Sequence, residues 1–270
     1  MTFDLECWDE SDWMQPFLAS AIVTDPQSDA TITRRILDLL DEAHATATFF
    51  VTTRFLERYP DVVREIHAKG HEIGTHGPKH LRLQQQNPEG FQKDIRAQKQ
   101  LLLGLVGVQP IGYRAPHFSL TEKTRWILPI LLEEGYQYDS SLFAASSLEY
   151  GSGSAPNEPH AIQTASGPIL EIPVPGLPAF GFRIPFAGGV YFRLIPAKIY
   201  AQMLAWTGQK TIGMLYLHPH ELNPDTPKIQ RGPWLKRFFK YYGTTYGKKR
   251  LKYLVDCFSF RSIQDTLSAK

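Results

Sequence analysis

Gly70-His71-Glu72-Ile73-Gly74-Thr75-His76-Gly77-Pro78-Lys79-His80 carries the reading of this chain. Upstream, Asp61 to Lys69 has helical character and Gly70 supplies the stop. His71 to Thr75 then reads as a short strand. The strand leads into a turn that holds His76 and His80, four residues apart, so two imidazoles can reach one ion from one turn. A third ligand has to come from another element, and Asp4-Leu5-Glu6 offers carboxylates at the end of a first strand. Two histidines and a carboxylate with one position left open suit a hydrolytic metal site. The competing reading is a surface pair on a loop, because nine histidines in 270 residues produce this spacing by chance.

Outward from that stretch, helix and strand signals alternate. Ile32, Ile36, Leu39, Leu40 and Ala43 follow a helical period, with Arg34, Arg35 and Asp38 on the other face. Thr46 to Thr52 is a β-branched and aromatic run that predicts a strand. Asn87-Pro88-Glu89 predicts a capped helix start, with the helix running to about Leu105. Ile111 to Arg114 reads as a strand, Thr121 to Glu134 as a helix ended by Gly135, and Tyr136 to Asp139 as the next strand. Ser140 to Gly167 is rich in Ser, Gly, Pro and Asn and predicts a long surface loop. Ile169 to Val174 is a strand, Pro196 to Thr207 a helix, and Met214 to His218 a final buried strand. Two tail helices follow, about 234–242 and 248–258.

Strands and helices joined by short connections predict an α/β fold with a parallel sheet, and no linker cuts the chain into parts. Asp4, Glu6, His76, Arg114, Asp139 and His218 all fall at strand ends, where parallel folds collect their sites. Asp4 and Glu6, two apart on a strand, face the same way. One can bind metal while the other takes a proton. Arg114 beside a carboxylate fixes its orientation; the alternative is an exposed arginine before a turn. His218, held by Asp139, can protonate a leaving amine; the alternative is a half-buried structural histidine, and His220 competes for the role.

The bulk numbers narrow the classes. Hydrophobic content of 43% supports a sizeable core. A net charge of +2 does not mark a nucleic-acid binder. Cys7 and Cys257 lie at opposite ends and indicate no disulfide framework; Cys7 reads as a packed thiol. No leader pattern and no long apolar run is visible, so the expectation is a cytoplasmic, or membrane-peripheral, protein.

Five segments in order resemble one family: Thr2–Glu6, Gly70–His80, Tyr113–Pro116, Asp139–Ser141 and Leu215–His218. They are similar to the NodB-homology polysaccharide deacetylases, carbohydrate esterase family four. Phe186–Arg193 and Tyr216–Leu222 further resemble a subgroup associated with exopolysaccharide gene clusters. The resemblance implies a distorted (β/α) barrel of about seven strands over residues 1–270, with a basic, aromatic helical extension over about 223–270. It implies removal of N-acetyl, or O-acetyl, groups from an acetylated glycan with one divalent ion, usually zinc. Carried over, Asp4 is the general base, His76 and His80 are ligands, Arg114 orients the base, His218 is the general acid and Asp139 tunes it. The family's usual aspartate ligand is Leu5 here, so Glu6 stands in as the third ligand. That departure keeps two alternatives open: an amidohydrolase or deformylase acting on a small amide, and an inactive barrel that binds glycan.

Two weaker signals remain. From Arg231 to Val255 there are eight basic residues and no acidic one, interleaved with aromatics. The bland reading is two amphipathic helices with their aromatics in the core. The sharper one is docking on an anionic membrane surface through Lys236, Arg237, Lys240, Lys248, Lys249, Arg250 and Lys252. Phe180, Phe182, Phe186, Tyr191 and Phe192 read equally as sugar-groove lining or as core.

Overall fold

The computed structural model describes residues 1–78, 80–145, 155–179, 181–210 and 212–269. Eight strands form the main sheet: β1 (Thr2–Leu5), β2 (Thr48–Val51), β3 (Glu72–Thr75), β4 (Gly112–Tyr113), β5 (Tyr138–Asp139), β6 (His160–Thr164), β7 (Gly167–Glu171) and β8 (Tyr216–Leu217). Their order is β8-β1-β2-β3-β4-β5-β7-β6. Seven run parallel; β6 alone is antiparallel and closes a hairpin with β7. The sheet curls strongly into a half-barrel.

The expected alternation accounts for most of this. α1 (Ser28–Glu42), α2 (Thr53–Arg58), α3 (Pro60–Ala68), α4 (Pro88–Val106) and α5 (Ile127–Glu133) connect successive parallel strands. α4 begins as its sequence dictates: Asn87 Oδ1 accepts from Gly90 N at 2.9 Å, and Pro88 sits where no donor is needed. α6 (Gly189–Leu194) and α7 (Ala197–Lys210) lead towards β8. The inner strands β1 and β2 are buried at every position, which fits a sheet covered on both faces.

Two stretches differ from expectation. The predicted loop over 140–167 contains a strand, Phe143–Ala144, paired with Val174–Pro175, and all of β6. β6 alternates exposed and buried positions, so its polar residues hide its strand character. The tail holds three helices rather than two: α8 (Trp234–Tyr241), α9 (Thr244–Cys257) and α10 (Ile263–Ser268). Phe186 and Phe192 are core residues, while Phe180 and the side chain of Phe182 lie outside the described residues. Among the described residues no helix is long and apolar enough to cross a membrane.

Candidate metal centre

Asp4 lies one residue before the end of β1, His76 follows β3, Arg114 follows β4 and His218 follows β8, so four strand ends deliver their side chains to one end of the sheet. Local packing sets this up. The Phe50 ring crosses the face of Gly74, where an added Cβ would lie 2.6 Å from its Cδ1. The Arg114 guanidinium then sits 4.3 Å above that ring. Gly77 adopts φ +74°, a turn open to glycine at little cost, and the chain folds back to bring His80 beside His76. His80 itself takes φ +52°, an uncommon conformation for a non-glycine residue and one that collects at functional sites.

Arg114 is fully buried and uses all five donors. Nη1 donates to Asp4 Oδ1 at 2.8 Å and to Thr2 Oγ1 at 2.9 Å. Nε and Nη2 donate to the carbonyl and hydroxyl of Ser140 at 3.1 and 3.0 Å, and Nη2 also reaches Met214 Sδ at 3.5 Å. This clamp fixes Asp4 and leaves its Oδ2 facing His76 Nε2 at 3.7 Å.

His76 shows which nitrogen is available. Its Nδ1 lies 2.8 Å from the Arg114 carbonyl, which can only accept, so Nδ1 carries the proton. The buried Nε2 is therefore a bare lone pair, and it has no hydrogen-bond partner. Burial outweighs the pull of Asp4 and lowers the His76 pKa to about 4, so the ring is neutral at pH 7. His80 Nε2 stands 2.8 Å from Glu6 Oε2, and the two imidazole centroids are 5.3 Å apart. A neutral imidazole with its outer nitrogen held by a carbonyl, beside a second histidine and a buried carboxylate, offers the donor types that a divalent ion takes.

Glu6 faces a second pair of histidines as well. Its Oε1 lies 3.4 Å from His218 Nε2, and donor atoms of Glu6, His218 and His220 all fall within 4.8 Å of one another. His220 thus belongs to the site by geometry, as the sequence hinted. Burial opposes the charge on His218, but Glu6 and Glu221 together outweigh it and raise its pKa to about 9. His76 neutral and His218 charged is the kind of split that separates a ligand from a proton donor.

The structure does not pair Asp139 with His218. The carboxylate against His218 is Glu221, which accepts from the His218 backbone N–H at 2.9 Å and lies 3.7 Å from Nδ1. Asp139 instead accepts from Ser141, whose hydroxyl accepts from Ala115 N at 2.8 Å, so it braces the segment beside Arg114. β5 and β8 are too far apart in the sheet order for the expected contact. Burial raises the Asp139 pKa to about 6 and raises that of its neighbour Glu171 too. Glu221, Glu171 and Arg193, which stands 3.6 Å from Glu221, were not singled out in the sequence. Only Glu221 left a trace, as an acid three residues after His218 with Pro219 at the helix start. Lys240, read as a surface cation, is buried.

Comparison with known proteins bears on the fold and the family. Residues 21–137 match the polysaccharide deacetylase family model, and residues 140–268 match a domain of unknown function, DUF3473. A peptidoglycan-N-acetylglucosamine deacetylase of Bacillus cereus is 31% identical over 107 residues, 39% of each chain. A peptidoglycan deacetylase of Helicobacter pylori is 31% identical over 113 residues, 40% of this chain and 36% of its own. The matches thus span well under half of either relative's length. Among solved structures, PuuE allantoinase superposes with TM-score 0.60 at 16% identity, over 95% of this chain and 82% of its own. Peptidoglycan deacetylase PdaC of Bacillus subtilis gives 0.52 at 13% identity, over 99% and 88%. BA3943, a family-four pseudoenzyme of Bacillus anthracis, gives 0.52 at 10% identity, over 98% and 63%. At these identities the structures show the fold alone. Residues 21–137 thus resemble a polysaccharide deacetylase domain and residues 140–268 a DUF3473 region, on a fold shared with solved deacetylases.

Proposed function

We propose that this protein is a metal-dependent hydrolase that removes N-acetyl groups from an amino-sugar glycan, with zinc held by Glu6, His76 and His80. The observation that carries this reading is the bare, buried Nε2 of His76, its tautomer fixed by the Arg114 carbonyl. The relatives named as deacetylases give the substrate class, and the resemblance to exopolysaccharide-cluster members suggests a bacterial polymer. Strands from both matched regions share one sheet, which supports a single working domain.

A divalent ion in this site supplies Lewis acidity to the amide carbonyl oxygen and makes water more acidic. Asp4, steadied at Oδ1 by Arg114, takes the proton of the attacking water at Oδ2. Water adds to the carbonyl carbon, the C–N bond breaks, and His218 gives its proton to the departing amine. Glu221 keeps His218 charged for that step. Each such proton transfer contributes about 100- to 10,000-fold in rate. Asp139 acts through Ser141 and the backbone near Arg114, not on His218.

The close grouping of Glu6, His218 and His220 favours one second reading, in which these three hold the ion. Ion retention after dialysis separates the two: His76→Ala loses the ion under the first reading, His220→Ala under the second. Acetate release from N-acetylglucosamine oligomers tests the activity itself. Release that vanishes in His76→Ala supports a deacetylase. Retained turnover in that variant refutes the assignment, and bound metal without any release points to an inactive glycan-binding barrel or a small-amide substrate.

A further inference from the structure

α8 is built inside out. At about 100° per residue, Trp234, Phe238, Leu235 and Phe239 form one continuous stripe on this helix, and Tyr242 follows at its end. All five are exposed, Trp234 at 74% and Tyr242 at 48%. On the other face Lys236 is exposed, Arg237 is half-buried and one lysine points inward. Lys240 is buried, in the field of Glu6, Asp29 and Glu221. The apolar patch continues past the helix. Tyr246 at the start of α9 is 65% exposed, and Ile22 is exposed opposite Lys228 on a short strand pair that Tyr241 ties to α8 through Ile229 N. An exposed aromatic stripe of this extent marks an interaction surface.

The charge around it selects the partner. No acidic residue occurs between Arg231 and Val255, and Arg231, Lys236, Lys248 and Lys249 are exposed in the same stretch of chain. Trp and Tyr combine an apolar ring with a polar edge and settle at the headgroup level of a bilayer, where basic side chains meet anionic lipid. α8 is far too short to span a bilayer, so it can only lie in the plane of one.

We propose that α8 and the start of α9 dock this protein on an anionic lipid surface. The helix is also joined to the metal centre. Arg193 donates to the carbonyls of Phe239 at 2.8 Å and Lys240 at 3.3 Å, and its guanidinium faces Glu221, which backs His218. Arg193 therefore ties the docking helix to the residue that backs His218, and on the hydrolase reading above a lipid-borne or membrane-adjacent glycan is the substrate this placement suits. Lys240 cannot contribute to the contact because it is buried, and Arg250 is occupied by the carbonyls of Phe192 and Ile195.

The test is co-sedimentation with phosphatidylcholine vesicles and with vesicles that also contain phosphatidylglycerol. The whole chain is compared with Trp234→Ser/Phe238→Ser and with Lys248→Gln/Lys249→Gln, all exposed positions, with matching thermal melts as the folding control. The expected result is binding to the anionic vesicles that weakens about tenfold or more in either variant. It should also fall as salt rises from about 0.1 to about 1 M, where the screening length shrinks from about 10 to about 3 Å. Absence of binding at low salt, or equal binding by the serine variant, overturns the proposal. So does light scattering that shows a wild-type dimer made monomeric by the serine variant, since a second copy would then cover the face.

Discussion

Replacing Arg114 with Met keeps the length of the side chain but removes the guanidinium paired with Asp4 at the base of the site. Both partners are buried, Arg114 fully and Asp4 to 2% exposure. Removing one member of a buried pair costs about 3–5 kcal/mol, because the other is left charged and unpaired. The Ser140 and Thr2 oxygens lose their donor as well. In a chain of this size that loss lowers the melting temperature by roughly 6–20 °C. Asp4→Asn added to Arg114→Met removes the stranded charge, so the double variant should regain about 2 kcal/mol or more over Arg114→Met. It should not regain turnover, since the amide that replaces the Asp4 carboxylate cannot take a proton. The assay is urea unfolding of the wild type, both single variants and the double variant at pH 7 with a chelator present, so that no bound ion contributes. Arg114→Met within about 0.5 kcal/mol of wild type, or a double variant that merely sums the two single losses, would refute the clamp.

Gly189→Ala tests Glu221 without touching it. A Cβ there would fall 1.6 Å from Glu221 Oε2, so the carboxylate must leave its present place against His218. The His218 pKa should then drop below about 9, and the alkaline limb of the pH–rate profile, where the proton donor is lost, should shift to lower pH. An unshifted limb would remove Glu221 from the account. Asp29 supplies a stability test. Burial raises its pKa from 3.8 to about 6, against the Trp8 N–H that stabilises the anion. The folded state therefore binds the proton more tightly than the unfolded one, and the stability this lends is complete below about pH 4 and lost as pH rises through about 6. Asp29→Asn should thus gain on wild type between those values, by at most about 3 kcal/mol at pH 7. Urea midpoints for the two proteins at pH 4 and pH 7 measure it, and a gap that does not widen with pH contradicts the sign.

The parallel strands were legible because they are buried on both faces and read as apolar, β-branched runs, as in Thr48-Phe49-Phe50-Val51. β6 was not, because it lies at the sheet edge with His160, Gln163 and Thr164 partly or fully exposed. Its turn, Ala165-Ser166-Gly167, was a usable hairpin signal within a stretch read as loop. Within the site, each residue that ends a strand could be placed from sequence. Which carboxylate meets which histidine could not, because β1, β5 and β8 come together only through the sheet order. In α8 the sequence shows an apolar and a basic face but not which one turns inward. Glu6, Asp29 and Glu221, acids distant in sequence, act on the one buried lysine of that helix, Lys240.

The most direct measurement is a titration of metal-stripped protein with zinc while acetate release from N-acetylglucosamine oligomers is followed. The account predicts release that rises to a plateau at one ion per chain and stays at background in His76→Ala. Release that ignores zinc, or that His76→Ala supports at the wild-type level, would contradict it.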